Sequence, residues 1–158
     1  MSSANSAPTT LSTDMRDQLV DAATRVCETS FFAFVEPASS ELLASAAGES
    51  RWYHTSVNYA GPSHGRVSLA LPEDLAREIF AAFLGFADSS AANQAEVEDV
   101  VGEFANMVCG AWLTSLGGDS CFSLTHPDVS PGGLPVLEEN TIVLAVNDRP
   151  LVIRAELT

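Results

Sequence analysis

The chain has 158 residues, 46% of them hydrophobic, enough for one globular domain with its own core. Against 21 acidic residues stand seven cationic ones, all arginine, and the formal net charge is −14. That balance excludes phosphate backbones and anionic membrane surfaces as partners, and the absence of lysine excludes Schiff-base and P-loop chemistry.

The apolar runs fall well short of the ~20 residues a membrane span needs, and the N-terminus has no basic-then-apolar signal segment. A soluble, cytoplasmic protein is expected. Cys27, Cys109 and Cys121 are odd in number and widely spaced, which fits free and mostly buried thiols better than a disulfide framework.

Residues 1–13 are rich in Ser, Ala, Thr and Pro and read as a disordered leader, with the folded domain spanning 14–158. MRDQLVDAATRVCETSFFAFVE sets Met15, Leu19, Ala22, Ala23, Val26 and Ser30 on one helical face, with Thr13 or Asp14 placed to cap it. PASSELLASAAGES reads as a polar, partly helical connection. In WYHTSVNY the residues Tyr53, Thr55, Val57 and Tyr59 alternate, as do Val67, Leu69 and Leu71 in RVSLAL. With AGPSHG between them, these segments form a hairpin.

LPEDLAREIFAAFLG then starts a helix at Pro72, places Glu73 and Asp74 at its positive end and leaves at Gly85. Its buried stripe is expected at Leu75, Ile79, Ala82, Phe83 and Phe86. A long helix follows from about Ala92 to Leu116, and then CFSLT, TIVLAV and PLVIRAEL as strands. NDRP makes a tight turn between the last two. HPDVSPGGLP and the residues up to 140 read as a long loop. Hairpin strands with long helices between them specify an α+β domain, a mostly antiparallel sheet packed against helices.

The long helix contains an anomaly. Val97, Val101, Phe104, Val108, Ala111 and Trp112 gather on one side, while Asp99, Glu103, Asn106 and Gly110 line the other as an exposed ridge. Gly102 and Gly110 each cost about 1 kcal/mol relative to alanine in a helix interior, and Asn106 costs roughly 0.7 at most. Two accounts remain open on pattern alone. Either the glycines allow close packing and Glu103 and Asn106 are simply solvated, or the ridge serves a function.

Asp99, Glu103 and Asn106, set in GEFANMVCG, match an acidic residue followed by Glu-x-x-Asn on a helix. This resembles the signature of the CheC/CheX/FliY family of chemotaxis phosphatases, and SVNYAGPSHGRVSLALPEDLAREIFAAFLG resembles the segment that precedes it there. MRDQLVDAATRVCETSFF lacks a second Glu-x-x-Asn, so the chain is identified as a CheX-like member. Pro127 and Pro131 bracket the family's downstream proline without matching its spacing.

The resemblance implies hydrolysis of the phosphoaspartate on a CheY-like receiver domain. Asn106 would orient the attacking water and Glu103 would pair with the receiver's lysine, with Asp99 supporting; Gly110, by its own position a turn beyond Asn106, would leave room for the docked domain. It further implies a homodimer and no cofactor bound by this chain, Mg²⁺ being supplied by the receiver. The alternative is a non-catalytic receiver-binding module in a two-component or flagellar-switch pathway.

Other chemistries fit less well. A cysteine phosphatase needs Cys-x5-Arg, but Ala33, Ser115 and Pro127 follow Cys27, Cys109 and Cys121 at that spacing. Cys121 and His126 lack a second close pair for zinc. Asp99 and Glu103 could form a catalytic carboxylate pair, although acids at that helical spacing are ordinarily solvated. His54, His64 and His126 read as strand or loop residues.

Overall fold

The computed structural model describes residues 10–46, 48, 51–85, 92–117 and 121–158. Among the described residues, four helices, α1 (Thr13–Phe31), α2 (Ser40–Ser45), α3 (Glu73–Leu84) and α4 (Gln94–Gly117), are combined with seven strands. The strands are β1 (Val35–Pro37), β2 (Trp52–Ala60), β3 (His64–Pro72), β4 (Ser123–Leu124), β5 (Asp128–Gly132), β6 (Thr141–Val146) and β7 (Arg149–Leu157). They form one sheet in the order β1-β6-β7-β3-β2, with β4 and β5 both on the outer side of β2, and every pairing is antiparallel. The α+β architecture expected from the sequence is the one observed.

The alternation read in β2 and β3 decides which face is covered. Tyr53, Val57, Tyr59, Val67, Leu69 and Leu71 point into one core with Leu19, Val26, Leu75, Ile79, Phe104 and Trp112 of the helices. On the other face, Trp52, Ala70 and Val152 form a small separate cluster with Leu43 of α2. Between β6 and β7 the two turn residues Asn147 and Asp148 have φ of 48° and 67°. Such a turn matches the twist of the strands it joins.

Several boundaries differ from the sequence reading. Residues 1–9 of the expected leader lie outside the described residues, but the packed chain begins before Asp14. Leu11 is buried and its N–H donates to Asn140 Oδ1 at 2.9 Å. The α1 cap is Ser12, whose Oγ accepts from the Met15 N–H at 3.2 Å, and not Thr13 or Asp14. The connection expected from Pro37 onward contains α2, and just ahead of it runs an unforeseen strand, β1, too short to show periodicity.

Pro72 is the cap of α3, not its first helical residue, because it also ends β3. Of the expected α3 stripe, Leu75 and Ile79 are buried, Ala82 is half-buried and Phe83 is 40% exposed at the last turn. Phe86 lies outside the described residues. The strand expected in CFSLT is reduced to Ser123–Leu124.

The largest correction concerns the loop expected over 126–140. Its first part is strand β5, paired with β2 from Ser56↔Asp128 to Trp52↔Gly132. Pro131 disguises it, since proline lacks the N–H a ladder uses, yet an edge strand tolerates that loss on its free side.

Cys27 and Cys109 are fully buried and Cys121 is exposed. Burial, with the charge of Glu28 adding to it, pushes the Cys27 thiol up to about 12, and burial pushes Cys109 to about 12. A chromogenic disulfide reagent is therefore expected to titrate Cys121 in the native protein, and Cys27 and Cys109 only on unfolding. Since these two folded-state values lie above the ordinary 9.0, stability should fall as pH rises past 9, where the unfolded thiols ionise first. Denaturation midpoints across that range check the sign.

Candidate functional site

The position of α4 is set by its apolar side. Val97, Val101, Phe104, Val108 and Trp112 are buried, and the Trp112 indole N–H donates to the Met15 carbonyl of α1 at 3.1 Å. The same indole meets the Tyr59 ring edge-on at 6.2 Å, so α4 is held between α1 and the sheet. Ala111, expected in this stripe, is half-buried. With one side fixed, the helical period turns Asp99, Glu103 and Asn106 toward the rim where β5 joins β2.

There a groove of about 380 Å³ lies between α4 and the β4–β5 segment, lined by Glu98, Asp99, Gly102, Glu103, Asn106, His126, Pro127 and Val129. Three of the four residues marked by sequence therefore share one concave surface. Gly110 is not part of it; a Cβ added at Gly110 would meet nothing within 4 Å. Another depression, of about 330 Å³, lies on the opposite face of the sheet and contains none of the marked residues.

The two helix glycines turn out to have different surroundings. A Cβ at Gly102 would sit 3.0 Å from Pro127 Cγ and 3.3 Å from Val129 Cγ2, so this glycine lets β5 and its leading proline close against the helix. Close packing explains Gly102. It does not explain Gly110, which faces open space.

Asp99 and Glu103 are exposed, as expected, whereas Asn106 is half-buried and not the fully exposed residue the helical wheel indicated. Asn106 shares the groove lining with Pro127 and Val129. Its Oδ1 atom is buried and has no hydrogen-bond partner. An unsatisfied buried acceptor costs ~1–3 kcal/mol, and such atoms are rare enough in folded proteins to require a reason.

Electrostatically the lining is one-sided. Glu98, Asp99 and Glu103 contribute carboxylates, and no arginine is present. Arg77 pairs with Glu73 at 3.3 Å, Arg149 with Asp74 at 2.9 Å and with Glu78, and Arg154 with Glu138 at 2.6 Å and Glu156 at 2.7 Å, all away from the groove. Among the described residues, no group of three or more His, Cys, Asp or Glu side chains is placed to hold a metal ion. The groove can thus attract a cation carried by a partner and offer it an amide. It cannot by itself neutralise a transferring phosphoryl group, which needs positive charge around its oxygens.

His126 belongs to the lining, although sequence spacing gave it no role. The pairing of β5 with β2 brings it beside α4, and no local pattern in HPDVS signals that proximity.

Residues 53–142, more than half of the chain, match the profile of the family described as chemotaxis phosphatase CheX. No curated protein matches the sequence. Among solved structures the chain is similar to CheX from Vibrio vulnificus, with 20% identity over 95% of this chain and 100% of that one and a TM-score of 0.71. It is also similar to CheX from Desulfovibrio desulfuricans, with 18% identity, coverage of 92% and 99% and a TM-score of 0.68. A third similar structure is the Borrelia burgdorferi CheX–CheY–BeF3–Mg²⁺ complex, with 15% identity, coverage of 89% and 96% and a TM-score of 0.63. Identities this low speak to fold alone, but the family match spans β2 through α4 and into β6 and takes in the whole groove. The chain belongs to the CheX chemotaxis phosphatase family.

Proposed function

We propose that this protein hydrolyses the phosphoaspartate of a CheY-type receiver domain docked on α4, with Asn106 as the water-positioning residue and Glu103 as the docking carboxylate. The observation that carries the proposal is the buried, unpartnered Oδ1 of Asn106 in a groove whose rim carries the exposed Glu103. Asparagine rarely sits mid-helix with its carbonyl unsatisfied unless something arrives to use it.

Chemically, water attacks phosphorus in line with the acyl phosphate bond. The P–O bond to the aspartyl group breaks, and the products are the free carboxylate and inorganic phosphate. The receiver brings the magnesium ion and lysine that neutralise the phosphoryl oxygens, which is the charge this groove lacks. What remains for this chain is orientation. The Asn106 amide can accept from the water through Oδ1 and donate through its NH₂, and rotation about its soft terminal torsion presents either end. Glu103 draws in the receiver's lysine, fixing orientation and encounter more than final affinity. Asp99, one turn earlier, adds to that field, and the open space at Gly110 leaves room for the docked domain.

The test is the decay of a phosphorylated, magnesium-loaded CheY-type receiver from the same organism, with and without this protein. Acceleration by the wild type is expected. Glu103→Lys should raise the receiver concentration needed for half-maximal acceleration about tenfold, because a like charge now faces the lysine. Measurable binding without acceleration by any such receiver would overturn catalysis and leave a receiver-binding module.

A further inference from the structure

The groove has a second wall, and its polar group has no assigned part in the reaction. Glu98, Asp99, Gly102, Glu103 and Asn106 come from α4, while His126, Pro127 and Val129 face them from the β4–β5 connection and β5. The position of His126 is set by rigid neighbours. Pro127 rests on Gly102, at the closest approach noted above, and β5 is hydrogen-bonded to β2 from Asp128 onward. The ring is held as well, with Nδ1 3.0 Å from the Pro127 carbonyl oxygen.

A carbonyl oxygen only accepts, so Nδ1 carries the proton in that contact. In this tautomer Nε2 is the ring's acceptor, and His126 belongs to the groove lining. This differs in kind from the opposite wall. Glu98, Asp99 and Glu103 are anionic acceptors suited to a cation, whereas Nε2 is an uncharged acceptor suited to a backbone N–H or a hydroxyl. A domain that enters far enough to reach Asn106 passes between the two walls and meets both.

We propose that His126 is a specificity-determining contact for the docked receiver domain, its Nε2 accepting an N–H or O–H from a loop of that domain opposite the Glu103 contact. The inference rests on the receiver-phosphatase reading. It gives the groove two contacts of different chemistry, one selecting a charge and one selecting a neutral donor, and so a means of discriminating among receivers that all carry the same lysine.

The experiment compares the wild type with His126→Ala and His126→Gln, using a CheY-type receiver in two measurements. Calorimetry reads binding to the magnesium- and beryllofluoride-loaded receiver, and phosphate release reads KM and kcat. His126→Ala should weaken binding and raise KM about tenfold with kcat within about twofold, since a donor on the receiver is left unpaired. His126→Gln, which retains a neutral acceptor of similar reach, should recover most of that loss. A merely structural role for His126 would not be rescued in this way.

Unchanged affinity in His126→Ala, while the wild type binds and hydrolyses, overturns the inference and leaves the phosphatase reading intact. A drop in kcat at constant KM overturns it in favour of a catalytic part for the ring. Binding that depends on His126 without any hydrolysis by the wild type would uphold the contact and remove the phosphatase reading.

Discussion

Asn106→Ala is expected to abolish the acceleration of receiver dephosphorylation, by at least ~100-fold, while leaving the protein folded and slightly more stable. The size of the loss follows from the role. A group that only positions a nucleophile contributes through geometry, and loosening that geometry costs on the order of 100-fold or more. The stability change has the opposite sign because the native residue is poorly accommodated. Its Oδ1 is buried without a partner, at a cost of ~1–3 kcal/mol, and alanine is the better helix former by roughly 0.7 kcal/mol.

Truncation removes the unpaired acceptor and the poor helix former together, so the two gains act in the same direction. The melting temperature should therefore rise by about 2–4 °C for each kcal/mol recovered. Asn106→Asp is a sharper control, since it keeps the shape and one acceptor but removes the NH₂ donor and adds a negative charge where a phosphoryl group must sit. It too should fold and fail to accelerate decay. Activity retained by a folded Asn106→Ala protein would remove Asn106 from the mechanism.

That combination of poor local fit and good placement explains which parts of the molecule the sequence made legible. Strands β2 and β3 alternate cleanly because one face of each is buried across its length, and α4 declares itself through Val97, Val101, Phe104, Val108 and Trp112. The Glu-x-x-Asn of the ridge was visible because Asn106 and the two glycines contradict helix propensity, and such contradictions collect where function overrides local stability.

Strands β1 and β5 were illegible for a physical reason. Both lie at the borders of the sheet, are three and five residues long, and have few buried side chains to impose a period. Leu11 escaped notice because a single apolar residue in a polar stretch gives no pattern, although its burial is secured by Asn140, far along the chain. The approach of His126 to the ridge depends on β5 lying beside α4, a tertiary fact that no window of sequence contains.

Gly102 and Gly110 look alike in sequence, two poor helix formers in one helix, yet substitution should move them in opposite directions. Gly102→Val drives a branched side chain into Pro127, whose ring has no rotamer to yield, and toward Val129. Overpacking of this kind costs ~1–3 kcal/mol even before the displacement of β5 is counted. The shift also carries His126 away from the ridge, so the melting temperature should fall while the KM for the receiver rises.

At Gly110 a side chain meets nothing, and Gly110→Ala should gain close to the full ~1 kcal/mol difference in helix propensity. Gly110→Leu should gain nearly as much, because leucine is almost as good a helix former, but its side chain projects into the space one turn beyond Asn106 that a docked domain would occupy. Its signature is thus a higher melting temperature with a KM raised ~10-fold or more, against a smaller KM change for Gly110→Ala. Thermal denaturation and receiver kinetics on the same preparations read both quantities. If Gly110→Leu is stabilised and docks normally, the receiver does not extend over this turn of α4, and the reason for a glycine there must be sought on another surface.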